Sequence, residues 1–321
     1  MTLPAMHRRS ALGAIGALIA TPAFAQLAKP IIGVLMVVNA DPDVYLKSLR
    51  EGLRERGYVD GQNIFVEVFK AKPDQGDLAT LAAAMVARKV NVIVAIYTQA
   101  ALAAKSATSD IPVVAYTGDM VASGIVASLA KPGGNITGVT GISPEVSALR
   151  LDILRQIVPS LRRFALLLNE TDPLHKVFHD HYELAGKKLG VETLPFKVRA
   201  GDAFEPAFAA ISRAKVDAMW VQPSLLRNEI AQLIQNSGIP TIGDTRWMAD
   251  NGGVFSYGAD EEKLKRQLAD FVARILKGAK PADLPIQQPV KFDLTLNLKR
   301  IKALGLNAPP FVIAQADEVI E

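Results

Sequence analysis

The chain has 321 residues, with 36 Lys and Arg against 32 Asp and Glu, a formal charge of +4 and no cysteine. The missing cysteine excludes disulfides, thiol catalysis and thiolate metal sites. The small positive excess is not gathered into a block or stripe, which argues against a nucleic-acid surface.

Residues 1–25, MTLPAMHRRSALGAIGALIATPAFA, read as a secretory signal. His7, Arg8 and Arg9 precede a modest apolar run, and Ala23-Phe24-Ala25 is a small-residue cleavage pattern. The run falls short of the ~20 apolar residues that a membrane span needs. Cleavage is expected before Gln26, by the Sec or the twin-arginine route, and the protein is expected in the periplasm. Roughly 300 residues then remain, enough for two domains of ordinary size.

From Pro30 onward strands and helices alternate. IIGVLMVV (31–38) is a continuous β-branched run of the kind buried on both faces of a parallel sheet. A helix over 44–56 follows, then strand 63–69, helix 78–88, strand 90–96, helix 100–107 and strand 111–116. This βαβαβαβ order predicts a doubly wound parallel sheet. A further helix is expected over 118–130, closed by Pro132-Gly133-Gly134, before a short strand over 135–141. The glycines of SLAKPGGNITGVTG (128–141) thus precede a strand, whereas a phosphate cradle needs them at the start of a helix. They are predicted to be cap and turn residues at a hinge.

The alternation then begins again. Helices are expected over 146–158, 174–189, 204–214 and 225–236, and strands over 163–169, 191–198, 216–222 and 252–258. A long helix over 261–276 and a proline-rich tract that ends strand-like complete the chain. The predicted fold is α/β, with two doubly wound parallel-sheet units. The expected division is 26–141 with about 259–281, and 142–258 with about 282–321.

Enzyme motifs are absent: GxSxG, GxxxxGK[ST], HExxH and a strand-linked GxGxxG do not occur. His175, His179 and His181 lie on one predicted helix, but no carboxylate motif completes a metal site, so a solvated face is expected. Polar residues do gather where strands end, which is where open α/β sheets hold ligands. In the first unit they are Asn39, Asp41, Thr98, Gln99 and Asp119; in the second, Asn169, Gln222, Ser224, Asp244 and Tyr257. Several would also serve as helix N-caps. Two facing sets suit a cleft that grips a small polar or zwitterionic molecule. For an amino acid, Thr98 and the N–H groups of Gln99 and Ala100 are the expected carboxylate donors. Asp119 or Asp244 is the expected ammonium acceptor, and Asp244 as a mere cap of 245–250 stays open beside it.

LREGLRERGYVDGQNIFVE (49–67), SGIVASLAKPGGNITGVTG (123–141) and ILKGAKPADLPIQQPVKFDLTLNLKRIKALGL (275–306) carry a resemblance that extends over the whole mature chain. The sequence resembles the ABC-transporter substrate-binding protein family with a type I periplasmic-binding fold, whose characterised relatives bind tryptophan or tyrosine. Where many relatives show T-P-A, this chain has Thr98-Gln99-Ala100, and Asp119-Met120-Val121 stands where they often show D-P-V. The resemblance implies two Rossmann-like lobes, a hinge of three crossovers that closes on ligand, and a permease and ATPase as partners. No cofactor, metal or nucleic acid is expected, the protein is expected to be a monomer, and it is not expected to be an enzyme. An input protein for a membrane sensor and an exported α/β enzyme are the alternative readings.

Overall fold

The structure is a computed structural model that describes residues 1–2, 29–37, 42–71, 78–141, 144–199 and 202–321. The expected cleavage site, Asn39 and Asp41 lie outside the described residues.

Five parallel strands form the first sheet: β1 (Ile31–Val37), β2 (Phe65–Ala71), β3 (Val92–Ile96), β4 (Val113–Thr117) and β5 (Ile136–Thr140), in the order β2-β1-β3-β4-β5. Three of these strands, β1, β3 and β4, are paired on both sides, and their β-branched runs give each face an apolar row. Helix α1 (Pro42–Glu55) covers one face together with the late helix α9 (Glu261–Leu276), through Leu49, Leu53, Leu268 and Phe271. Helices α2 (Leu78–Ala87) and α3 (Thr98–Ala107) cover the other, through Ala82, Met85, Ala101 and Ala104.

The second sheet has seven strands. They are β6 (Arg163–Asn169), β7 (Glu192–Val198), β8 (Ala218–Val221), β9 (Thr241–Gly243), β10 (Phe255–Ala259), β11 (Phe292–Asn297) and β12 (Glu318–Ile320). Their order is β12-β11-β10-β9-β8-β6-β7, and all pairs are parallel except β10–β11. Period-2 alternation explains RFALLLN in β6. Phe164, Leu166 and Leu168 face one core with Trp220, Phe255 and residues of α4 (Pro144–Ile157) and α5 (His175–Leu189). Ala165 and Leu167 face the other, with α6 (Glu205–Arg213), α7 (Asn228–Ser237) and Met248 of α8 (Arg246–Asp250). Truncating a leucine such as Leu166, which is fully buried, costs about 2–5 kcal/mol. Two short helices, α10 (Leu298–Ala303) and α11 (Pro310–Gln315), close the second sheet through Ile301 and Val312.

The chain crosses between the sheets three times: from β5 to α4, from β10 to α9, and from a 3₁₀ turn at Pro281–Asp283 to β11. Before the third crossing Leu284 and Ile286 bury themselves in the first sheet's two cores. Gln287 then donates its N–H to Gly138 O and accepts from Thr140 N–H, each at 2.9 Å.

One predicted element is corrected. Residues 118–130 form turns and bends and no helix. Asp119 Oδ1 accepts the N–H groups of Val121 and Ala122, and Gly124 takes φ +68°. The local side-chain bonds compete with helix, and the left-handed glycine ends any continuation. Gly133, at φ +76°, is a turn residue as expected, but there is no helix for it to cap. No helix begins at this loop, so the backbone arrangement of a phosphate cradle is missing.

Candidate ligand-binding cleft

A cavity with some 660 Å³ of atom-free space, its mouth included, lies between the two sheets. The first sheet's side supplies Tyr97, Thr98, Tyr116, Thr117 and Gly118. The second supplies Arg150, Asp172, Leu174, Phe178, Gln222, Ser224 and Asp244. Gly141 and Ala259, at the first two crossovers, line it as well.

On the first side, Thr98 opens α3 and is 3% exposed. The first N–H groups of a helix have no carbonyl within it, and they carry the positive end of its dipole. Thr117 Oγ1 is buried with no partner among the described residues. Tyr97, the residue before α3, has φ 72° and ψ 161°, a combination that costs a side-chain-bearing residue about 1–3 kcal/mol.

On the second side, Arg150 Nη1 meets Asp244 Oδ1 at 3.1 Å, with both side chains largely buried. Arg150 Nε donates to Tyr257 O at 2.6 Å, and Trp220 Nε1 donates to Asp244 Oδ1 at 2.6 Å. Burial pushes the Asp244 carboxyl above its ordinary value, while Arg150 and the indole N–H hold it back. Burial opposes the Arg150 charge, and the Asp244 carboxylate with the Tyr182 phenol more than offsets this, so its pKa rises.

Asp172 differs. It is buried, its Oδ1 accepts the Leu174 N–H at 3.0 Å, and it meets no cation among the described residues. Burial raises its pKa, and Leu174 N–H, Ser224, Gln99 and Gln222 hold it back. Among the described residues the cavity wall therefore holds one cation against two carboxylates, together with the rings of Tyr97, Tyr116 and Phe178. Such a wall is suited to a small molecule that carries one cationic group and an apolar, aromatic body.

The model of the family described as ABC transporter substrate binding protein matches residues 31–320. The chain belongs to that family. The tyrosine-binding protein of Clostridioides difficile (strain R20291) is 26% identical over 283 residues, 86% of this chain and 81% of the relative. The ABC domain from Streptococcus pneumonia in complex with L-Trp is 28% identical. That structure matches 91% of this chain and all of its own with a TM-score of 0.84. A ligand-free, open substrate-binding protein from Clostridium difficile is 24% identical, covers 91% of this chain and 99% of its own, and has a TM-score of 0.63.

This substrate-binding protein brings four of the predicted site residues into the cavity wall: Thr98, Gln222, Ser224 and Asp244. Asp244 is not the N-cap of α8, which is Thr245; its Oδ1 meets Trp220 and Arg150 instead. Asn169 stands one layer behind, where its N–H donates to Gln222 Oε1 at 2.9 Å and its Nδ2 to Ser224 Oγ at 3.3 Å. Gln99 is buried and does not line the cavity, and its amide lies near enough to the Asp172 carboxyl to lower that group's pKa. Tyr257 turns its carbonyl to Arg150 and packs its ring 5.9 Å from Phe292. Asp119 is outside the wall, in the turn that it stabilises.

Arg150, Asp172 and the three rings escaped the sequence reading. A signal for Arg150 exists: it interrupts the buried stripe Val146, Leu151, Leu154 and Ile157 of α4. The histidine helix places ligand atoms of His179, Asp180 and Glu183 within 4.8 Å of one another. Lys176 and Lys187 already pair with the two carboxylates, at 2.7 and 2.9 Å.

Proposed function

We propose that this protein is the periplasmic substrate-binding component of an ABC importer and that it captures an aromatic amino acid. The chain is exported, works as a monomer, and delivers its ligand to a membrane permease driven by an ATPase. Its first lobe comprises 26–141 with 259–281 and the adjoining segment to Gln287; its second comprises 142–258 and the remaining C-terminal part.

The buried carboxylate of Asp172, which meets no cation among the described residues, carries this reading, because in its ionised form it calls for a positive partner in a closed cleft. A ligand ammonium is that partner. The ligand carboxylate goes to Thr98, the N–H groups that open α3, and the unpartnered Thr117 hydroxyl. Its side chain lies among Tyr97, Tyr116 and Phe178. Asp244 serves by fixing Arg150, in place of the direct ammonium contact expected from the sequence. Closure by the hinge is supported by the better superposition on the L-Trp complex than on the ligand-free, open relative.

A thermal-shift panel of the common L-amino acids and benzoate tests this. At a hundredfold excess over Kd, binding adds about 2.7 kcal/mol, which raises the melting temperature by several degrees. Tryptophan, tyrosine or phenylalanine should give the largest shift. A shift with benzoate and none with any amino acid would overturn the assignment.

A further inference from the structure

Tyr97 holds a backbone conformation that glycine adopts freely and other residues avoid. Two hydrogen bonds fix it there: its N–H donates to Tyr116 O at 2.8 Å, and its carbonyl accepts the Ala101 N–H at 3.1 Å. Glycine would make both bonds without strain, so the side chain needs a reason to be present. The other described non-glycine residues at positive φ, Lys89 and Lys215, follow helices α2 and α6 and do not line the cavity. They have the left-handed conformation usual at a helix end, with φ 56° and 49°. Tyr97 alone among them lines the cleft.

Its ring stands 6.3 Å from that of Tyr116, at an interplanar angle of 43°. Phe178 lines the same cavity from the opposite lobe and is held from behind by Trp220 at 4.9 Å. Aromatic rings from both lobes therefore border one space, and one of the two rings from the first lobe is mounted on a strained residue.

We propose that Tyr97 is a specificity-determining residue, held in a strained backbone so that its ring selects ligands with a planar aromatic side chain over aliphatic ones. This rests on the reading of the cleft as an amino-acid site. An aliphatic amino acid has the same ammonium and carboxylate, so only contacts of the side chain separate the two classes. An aromatic pair adds up to about tenfold in affinity beyond the area it buries.

Calorimetric titration of the wild type and of Tyr97→Phe, Tyr97→Gly and Tyr97→Ala with L-Trp, L-Tyr and L-Leu provides the test, alongside ligand-free melting temperatures. The wild type and Tyr97→Phe should prefer an aromatic ligand over L-Leu. In Tyr97→Gly that ratio should fall about tenfold. Without ligand, Tyr97→Gly should melt above Tyr97→Ala, the reverse of the usual order, because glycine alone relieves the strain. An unchanged ratio in Tyr97→Gly, or a Gly variant that melts below the Ala variant, overturns the proposal. Wild-type protein that binds L-Leu as tightly as L-Trp also overturns it, and leaves the amino-acid site standing. If the wild type binds none of the three, the reading of the cleft itself fails.

Discussion

Asp172 and Asp244 share one cavity wall, yet Asp244 meets Arg150 at 3.1 Å and Asp172 meets no described cation. Burial lifts the Asp172 pKa above its unfolded value, so folding favours the protonated form. That contribution is complete below the ordinary aspartate pKa and disappears as pH rises through the raised value. Asp172→Asn, always neutral, should therefore melt above the ligand-free wild type at neutral pH. The difference should vanish below about pH 4. Removing one partner of a buried charge pair costs about 2–5 kcal/mol, so the same variant should bind its amino acid at least about thirtyfold more weakly. A pH series of melting curves and one calorimetric titration check both parts. Arg150→Met tests the other carboxylate: it strands Asp244 in the wall and should cost about 3–5 kcal/mol in urea unfolding. At this scale the sequence was only partly legible. Of the polar residues where β6 ends the sequence singles out Asn169, three residues short of Asp172, because strand-end position does not reveal which side chain turns inward. Arg150 falls inside the helix expected over 146–158 and is not singled out there, although its place in an apolar stripe is visible.

The elements themselves were easier to read, since apolar runs of period 2 and period 3.6 dictate which faces are buried. β6 alternates between two cores, and α4 carries its stripe on one side. The failure at 118–130 has a local cause: an apolar, small-residue composition suggested helix, while Asp119 and Gly124 imposed turns. Strands β9 and β12, three residues each, are too short for any periodicity to register. The glycine loop before β5 yields a sharper expectation than the sequence alone allowed. Gly133 is at φ +76°, whereas Gly134 has no positive φ and open space around the position of a Cβ. Gly133→Val should destabilise by more than the ~1 kcal/mol of an ordinary glycine substitution, and Gly134→Val should be tolerated far better. Denaturant midpoints of the two variants measure the difference, and ligand affinity per folded molecule should change little in both.

The whole molecule follows from a simple constraint: two sheets with separate cores are joined by three strands of chain, and the cavity is walled by both. A ligand shifts the equilibrium between open and closed forms only through contacts that it makes in one form and lacks in the other. The donors at the start of α3 and the Asp172 carboxylate belong to opposite lobes, so on the proposed reading of the cleft an amino acid would complete both only when the lobes are together. The radius of gyration from small-angle X-ray scattering should therefore fall when L-Trp or L-Tyr is added at saturation. Asp172→Asn keeps the first-lobe contacts and loses the second-lobe charge. At the same ligand concentration it should stay close to the ligand-free value. Raising the ligand until the variant is saturated separates weak binding from failed closure: compaction that stays incomplete places Asp172 in the closing contact. Full compaction at saturation would mean that Asp172 sets affinity alone and that the second lobe closes on other groups. An identical radius with and without ligand in the wild type would remove hinge closure from the mechanism.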